Sequence, residues 1–114
     1  MNTVCHIEIL TTDLDASEAF YTAVFGWTFR SFMEGMRIFG VGETHVGGLQ
    51  LTDDLRPGNS PSVWIQVSDI DSILSKVSAS GGKVVSPKSD VPSVGFSAAF
   101  ADPHGSEIGL VQYL

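Results

Sequence analysis

The chain is poor in positive charge. Its 6 lysines and arginines stand against 13 aspartates and glutamates, a net charge of −7. Phosphate binding needs clustered cations, so no nucleic-acid partner is expected. Cysteine is scarcer still. Cys5 is alone, which excludes a disulfide framework and any CxxC metal knuckle. Long apolar runs are also missing: none approaches the roughly 20 residues of a membrane span. No basic segment leads into an apolar stretch at the N-terminus, so no signal peptide and no membrane partner is expected. Gly47-Gly48 lacks the following helix and lysine that a phosphate loop requires. No order of Ser, His and Asp suggests a nucleophilic triad. What remains is one cytoplasmic domain of 114 residues, 43% hydrophobic and able to bury a core without staples.

What is present is a repeat. Asp13-Leu14-Asp15 recurs as Asp69-Ile70-Asp71, 56 residues on, and the same offset carries Ile9 onto Ile65 and Gly26 onto Gly82. Each copy opens with an alternating strand, Cys5, Ile7 and Ile9 on one face of the first and Val63, Ile65 and Val67 on one face of the second. An aspartate then caps a helix, Asp13 or Asp69. The first helix carries an apolar stripe of Leu14, Ala19, Phe20, Ala23 and Val24, the second one of Ile70, Ile73, Leu74 and Val77. Gly26 and the pair Gly81-Gly82 supply the left-handed stop. Three strand-like segments follow each helix, about 27–33, 36–41 and 46–52, then about 83–87, 95–101 and 107–113. The fold class is α+β, two tandem βαβββ modules over about 1–52 and 62–114, with the polar linker DDLRPGNSP at about 53–61.

The turn DPHG, residues 102–105, places Asp at the first position, Pro at the second and Gly at the fourth, the chemistry of a type I turn. His104 is therefore read as an exposed turn residue. Gly109 follows in mid-strand, where glycine is costly unless it relieves crowding or marks a bulge or close approach.

Two such modules resemble the vicinal oxygen chelate superfamily, which includes glyoxalase I, extradiol dioxygenases and bleomycin-resistance proteins. The resemblance covers the whole chain. It rests on His6-Ile7-Glu8-Ile9, Asp13-Leu14, Ala19-Phe20-Tyr21 and Phe25-Gly26-Trp27, and on GGKVVSPKSDVPSVGFSAAFADPHGSEIGLVQ near the C-terminus. It implies a sheet curled into a cup that holds the ligand. It also implies metal ligands on the first and last strands of each module in metal-dependent members. Those positions fall here on His6, on Gly47 or Gly48, on Ser62 and on Gly109. A catalytic site of this kind wants about three protein ligands. His6 alone supplies one, so no cofactor is expected. The resemblance makes Gly109 a vacant ligand position. A divalent metal at His6 with Glu8 and Glu107 is the alternative.

By alternation His6 and Glu8 face the cup from the first strand, Trp64 and Gln66 from its counterpart, and Glu107 from the last strand near its turn. These are the candidate ligand-binding residues, with Trp27, Phe29, Phe32, Phe39 and Phe96 as nearby apolar material. Glu8 is the most informative, because a carboxylate inside a cup is expensive unless paired or protonated. With His6 it forms a candidate acid/base pair. The plain alternatives are that Glu8 pairs with Arg30 or Arg37, that His6 is a hydrogen-bonded core imidazole and that Trp64 is core packing. Cys5 reads as a small core residue facing the helix. Three functions follow from these readings: metal-free binding of a small organic molecule, a metal-dependent lyase or dioxygenase, and a metal-free lyase or isomerase using Glu8 and His6. The resemblance further implies a homodimer.

Overall fold

The computed structural model describes every residue from Met1 to Leu114. Ten elements follow one another: β1 (Thr3–Thr11), α1 (Leu14–Phe25), β2 (Thr28–Met33), β3 (Met36–Val41), β4 (Thr44–Leu51), β5 (Ser62–Gln66), α2 (Ile70–Ala79), β6 (Lys83–Val91), β7 (Gly95–Ala101) and β8 (Glu107–Tyr113). This is βαβββ twice, as the repeat predicts. Two compact units emerge, His6–Ser62 and Met1–Cys5 with Val63–Leu114.

In the unit His6–Ser62 the strands lie in the order β2-β3-β4-β1. β1 and β4 are parallel, with Ile7 opposite Gly47 and Glu8 opposite Gly48, and the other neighbours are antiparallel. The Asp13 carboxylate accepts the Ala16 N–H at 3.1 Å and starts α1. Gly26, at φ 71°, ends it by donating its N–H to the Thr22 carbonyl. Arg37 on β3 reaches back to α1, donating to Asp15 at 2.7 Å and Glu18 at 3.0 Å. The helix thus lies over the sheet face to which Arg37 and Phe39 point.

This arrangement corrects the apolar stripe read from the sequence. The half-buried row of α1 is Leu14, Ser17, Glu18 and Tyr21, whereas Phe20 and Val24 are 58% and 55% exposed. Two contacts set the rotation. Ser17 shares a 2.6 Å hydrogen bond with Thr11, and Tyr21 stacks on Trp27, which stacks on the buried Phe39. Trp27 and Phe39 therefore pack on the helix side, with Phe29 beside Phe39 at 5.3 Å.

In the other unit the order is β5-β8-β7-β6, with β5 and β8 parallel. Val67, Ile70, Ala98 and Leu110 form its buried core, packed by Ile65, Ile73, Leu74, Phe96 and Phe100. The expected stripe of α2 supplies three of these. Asp69 caps the helix by accepting the Asp71 N–H at 3.1 Å, and the Gln112 side-chain oxygen accepts the Ile70 N–H at 2.8 Å. Cys5 is half-buried and accepts a 3.6 Å hydrogen bond from the Tyr113 hydroxyl. Burial, aided by that bond, pushes the Tyr113 phenol up to about 12.

The DPHG turn explains itself. Asp102 Oδ1 accepts from the His104 and Ser106 N–H groups at 2.9 and 3.0 Å, and its carbonyl accepts from Gly105. These backbone donors, Ser106 first, hold the Asp102 carboxyl below the usual carboxylate range. His104 is exposed, as expected.

Gly109 is explained by crowding. It lies opposite Trp64, and a Cβ there would sit 2.2 Å from Cδ2 and Cε3 of that indole. The ring lies directly on the glycine backbone. Gly109→Ala is expected to destabilise the protein by about 1–3 kcal/mol in urea unfolding. The same substitution in a Trp64→Ala background should cost much less, and equal costs in both backgrounds would remove the crowding account.

Candidate functional site

The richest polar grouping sits on the face of the His6–Ser62 unit turned away from α1. Register places Glu8 of β1, Gly48 of β4, Ile38 of β3 and Arg30 of β2 in one row across the sheet. A strand alternates its side chains, so His6 and Met36 share this face. Gly48 is the floor. A Cβ there would lie 2.6 Å from Met36 Cε, 2.7 Å from Glu8 Oε1 and 3.1 Å from His6 Cε1. Three side chains converge on the space that glycine leaves.

Glu8 and His6 are the two sequence candidates that this unit brings together. Their side chains are 16% and 13% exposed, and His6 Nε2 lies 3.6 Å from Glu8 Oε1. That distance is an electrostatic contact and too long for a hydrogen bond. Glu8 Oε1 is buried and accepts no hydrogen bond within the chain. Such an orphan acceptor carries a desolvation cost of about 1–3 kcal/mol or more, and asks what it is for. Neither arginine weighed as its partner engages it, because Arg37 is bound to Asp15 and Glu18 across the sheet and Arg30 makes no salt bridge.

His45 completes the group. Its Nε2 lies 2.8 Å from His6 Nδ1. The ring centroids are 5.1 Å apart and the planes 19° apart. That separation is what two imidazoles meeting edge to edge through one N–H···N bond span, so the rings lie side by side in nearly one plane. One ring donates and the other accepts, the tautomer deciding which. Burial, then the neighbouring His6 and Arg30, lower the His45 pKa below 6.5. The sequence reading placed His45 just before β4. It lies inside the strand, which begins at Thr44, beside a register shift at Phe39/Gly40. A strand bulge re-aims side chains, and no pattern in the sequence marks it.

Two donors, His6 Nε2 and Glu8 Oε1 at 3.6 Å, could reach one divalent ion, short of the three or so protein ligands such a site uses. The last-strand position opposite β1 is glycine, and His6 Nδ1 faces His45 Nε2 with no room for metal–nitrogen bonds of about 2.0–2.1 Å. No three His, Cys, Asp or Glu side chains are grouped to hold an ion.

In the other unit Trp64 and Gln66 share a face of β5, opposite Gly109 and Val111. Trp64 covers Gly109, and the Gln66 carbonyl accepts the Asn2 N–H at 2.6 Å. Glu107 stands apart from both, exposed at the start of β8 and paired with Ala101. Ser62 is half-buried at the start of β5.

Residues 3–110 match the Glyoxalase/Bleomycin resistance protein/Dioxygenase superfamily. The chain belongs to that superfamily. A Mycobacterium tuberculosis protein with the provisional name glyoxylase CFP32 is 36% identical over 105 residues, covering 87% of this chain and 40% of its own length. The chain thus spans about two fifths of that curated relative. Among solved structures, methylmalonyl-CoA epimerase from Mycobacterium tuberculosis superposes with a TM-score of 0.72 at 17% identity, over 98% of this chain and 88% of that one. A Mn(II)-bound glyoxalase from Novosphingobium aromaticivorans gives 0.70 at 24% identity, over 97% and 38%. These likenesses extend the superfamily's fold along the whole chain. No helix is long and apolar enough to cross a membrane.

The lowered His45 pKa makes folding pH-dependent. A group held neutral in the native state binds more protons when unfolded. Its contribution is present above about 6.5 and is lost as pH falls through the lower folded value. Denaturation between pH 7.5 and 5 should show a loss of stability that is smaller in His45→Gln. An NMR titration midpoint for His45 at or above 6.5 would contradict the assignment.

Proposed function

We propose that this chain is a glyoxalase/bleomycin-resistance-like protein that binds a small organic molecule over the His6–Glu8–Gly48 face. On this reading no divalent metal is fixed by the superfamily's usual ligand positions. The observation that carries it is Glu8 Oε1, a buried acceptor with no hydrogen bond in the chain, held above a glycine floor. A ligand hydroxyl, amide or ammonium group would satisfy it. Fragments carrying such donors should perturb the amide resonances of Glu8 and Gly48. Glu8→Gln should weaken them about tenfold, as expected when a charged acceptor becomes neutral. Shifts that ignore the substitution would place binding elsewhere. Calorimetric titration with Zn²⁺ or Mn²⁺ should show no stoichiometric micromolar site that His6→Ala removes.

A second reading rests on the line His45–His6–Glu8. An imidazole beside a buried carboxylate, itself tied to a second imidazole, is an arrangement able to take and return a proton. The chain would then be a lyase or isomerase acting next to an acidic C–H. Deuterium exchange from solvent into a bound carbon acid, lost in Glu8→Gln, would favour it over simple binding. The exposed Phe20, Val24 and Phe25 of α1 support a homodimer, testable by sedimentation, and the acidic composition suits a cytoplasmic protein.

A further inference from the structure

Two of the chain's charged side chains share the same face without an ion pair that satisfies them. Glu8 is one. Arg30 is the second, and it differs from the other arginines. Arg37 is clamped between Asp15 and Glu18, and Arg56 is held by Asp54 at 3.2 Å. Arg30 makes no salt bridge and lines a cavity of about 340 Å³ with Thr28, Ile38, Gly40 and His45. Glu43, on the β3–β4 turn, lines the same cavity.

The register fixes how Arg30 and Glu8 relate. Arg30 faces Ile38, Ile38 faces Gly48, and Gly48 faces Glu8. Alternate strand positions share a face, and directly opposed residues point the same way, so these four form one straight row. Three strand spacings separate its ends, about 14 Å between Cα atoms. The guanidinium and carboxylate can lean inward and leave roughly half of that between them. The two middle positions are an isoleucine and a glycine. The glycine is buried, and Met36 Cε and Glu8 Oε1 lie over it, so the row reads cation, apolar wall, a glycine covered by Met36, and anion.

We propose that the ligand of this face is a compact organic carboxylate with a hydrogen-bond donor at its other end, its anion on Arg30, its apolar body over Ile38 and the Met36 side chain that covers Gly48, and its donor on Glu8. This rests on the binding function proposed above and names the ligand class. A hydroxy acid or an amino acid with a short apolar or aromatic spacer has this pattern. A guanidinium matches a carboxylate through two parallel N–H···O bonds, which a neutral ester cannot reproduce. Glu43, of opposite charge to Arg30, discourages an anion at the turn and favours the Gly48 side. With a net charge of −7 the protein repels anions in general. A preference for acids would therefore report local recognition.

The test is an NMR comparison of matched fragments: hydroxy and amino acids, their methyl esters, and the parent acids lacking the donor. Acids should bind about tenfold more tightly than their esters and shift the amides of Arg30, Ile38, Gly48 and Glu8. Arg30→Gln should abolish the acid–ester difference by weakening the acids to the level of the esters. Glu8→Gln should remove the advantage of the donor-bearing acids over the parent acids. Esters binding as well as acids, or a preference that survives Arg30→Gln, would overturn the ligand class and leave the binding function standing. No fragment of any class shifting the Glu8 and Gly48 amides would overturn both.

Discussion

The structure depends on two glycines that leave room for a neighbour's side chain on a parallel strand pair. Gly48 sits opposite Glu8, and Gly109 opposite Trp64. In each case a Cβ would overlap the side chain that lies there. Parallel pairing in a βαβββ module brings its first and last strands side by side, so whatever extends from the first must find space over the last. Glycine provides that space at the cost of backbone entropy and a missing side chain. The two sites are related by the repeat, because Glu8 and Trp64 are 56 residues apart. The same solution thus serves a carboxylate in one unit and an indole in the other.

Much of this was legible in the sequence. The repeat gave ten elements in order, and Asp13, Asp69 and Gly26 cap their helices as their residue types predict. Gly109 announced itself as anomalous, and crowding was one of its two readings. The face of α1 was not legible. Its apolar residues suggested one rotation, and polar contacts from Ser17 and Glu18 with the Tyr21 stack impose another. Hydrophobic periodicity cannot weigh a bidentate arginine against two exposed apolar side chains. The face of Phe29 and Phe39 likewise follows from the helix that covers them.

The site was legible in half. Period-two alternation on β1 put His6 and Glu8 together, and the structure finds them 3.6 Å apart. His45 was legible only as a residue just before the last strand of the first module, and its contact with His6 was not, because the register shift near Gly40 decides its direction. Arg30 was read as a possible neutraliser of Glu8. Its place three strands away emerges only from pairing, and that distance separates the charges enough for something else to lie between them.

The contact between His45 and His6 has an arithmetic of its own. Two neutral imidazoles bring one hydrogen each, and one of these fills the gap between Nε2 and Nδ1. A single further proton can be added on an outer nitrogen without disturbing that bond. A second cannot, because two N–H groups would then point at each other. The pair is thus a store of fixed capacity, and overfilling it must break the side-chain bond between β1 and the start of β4.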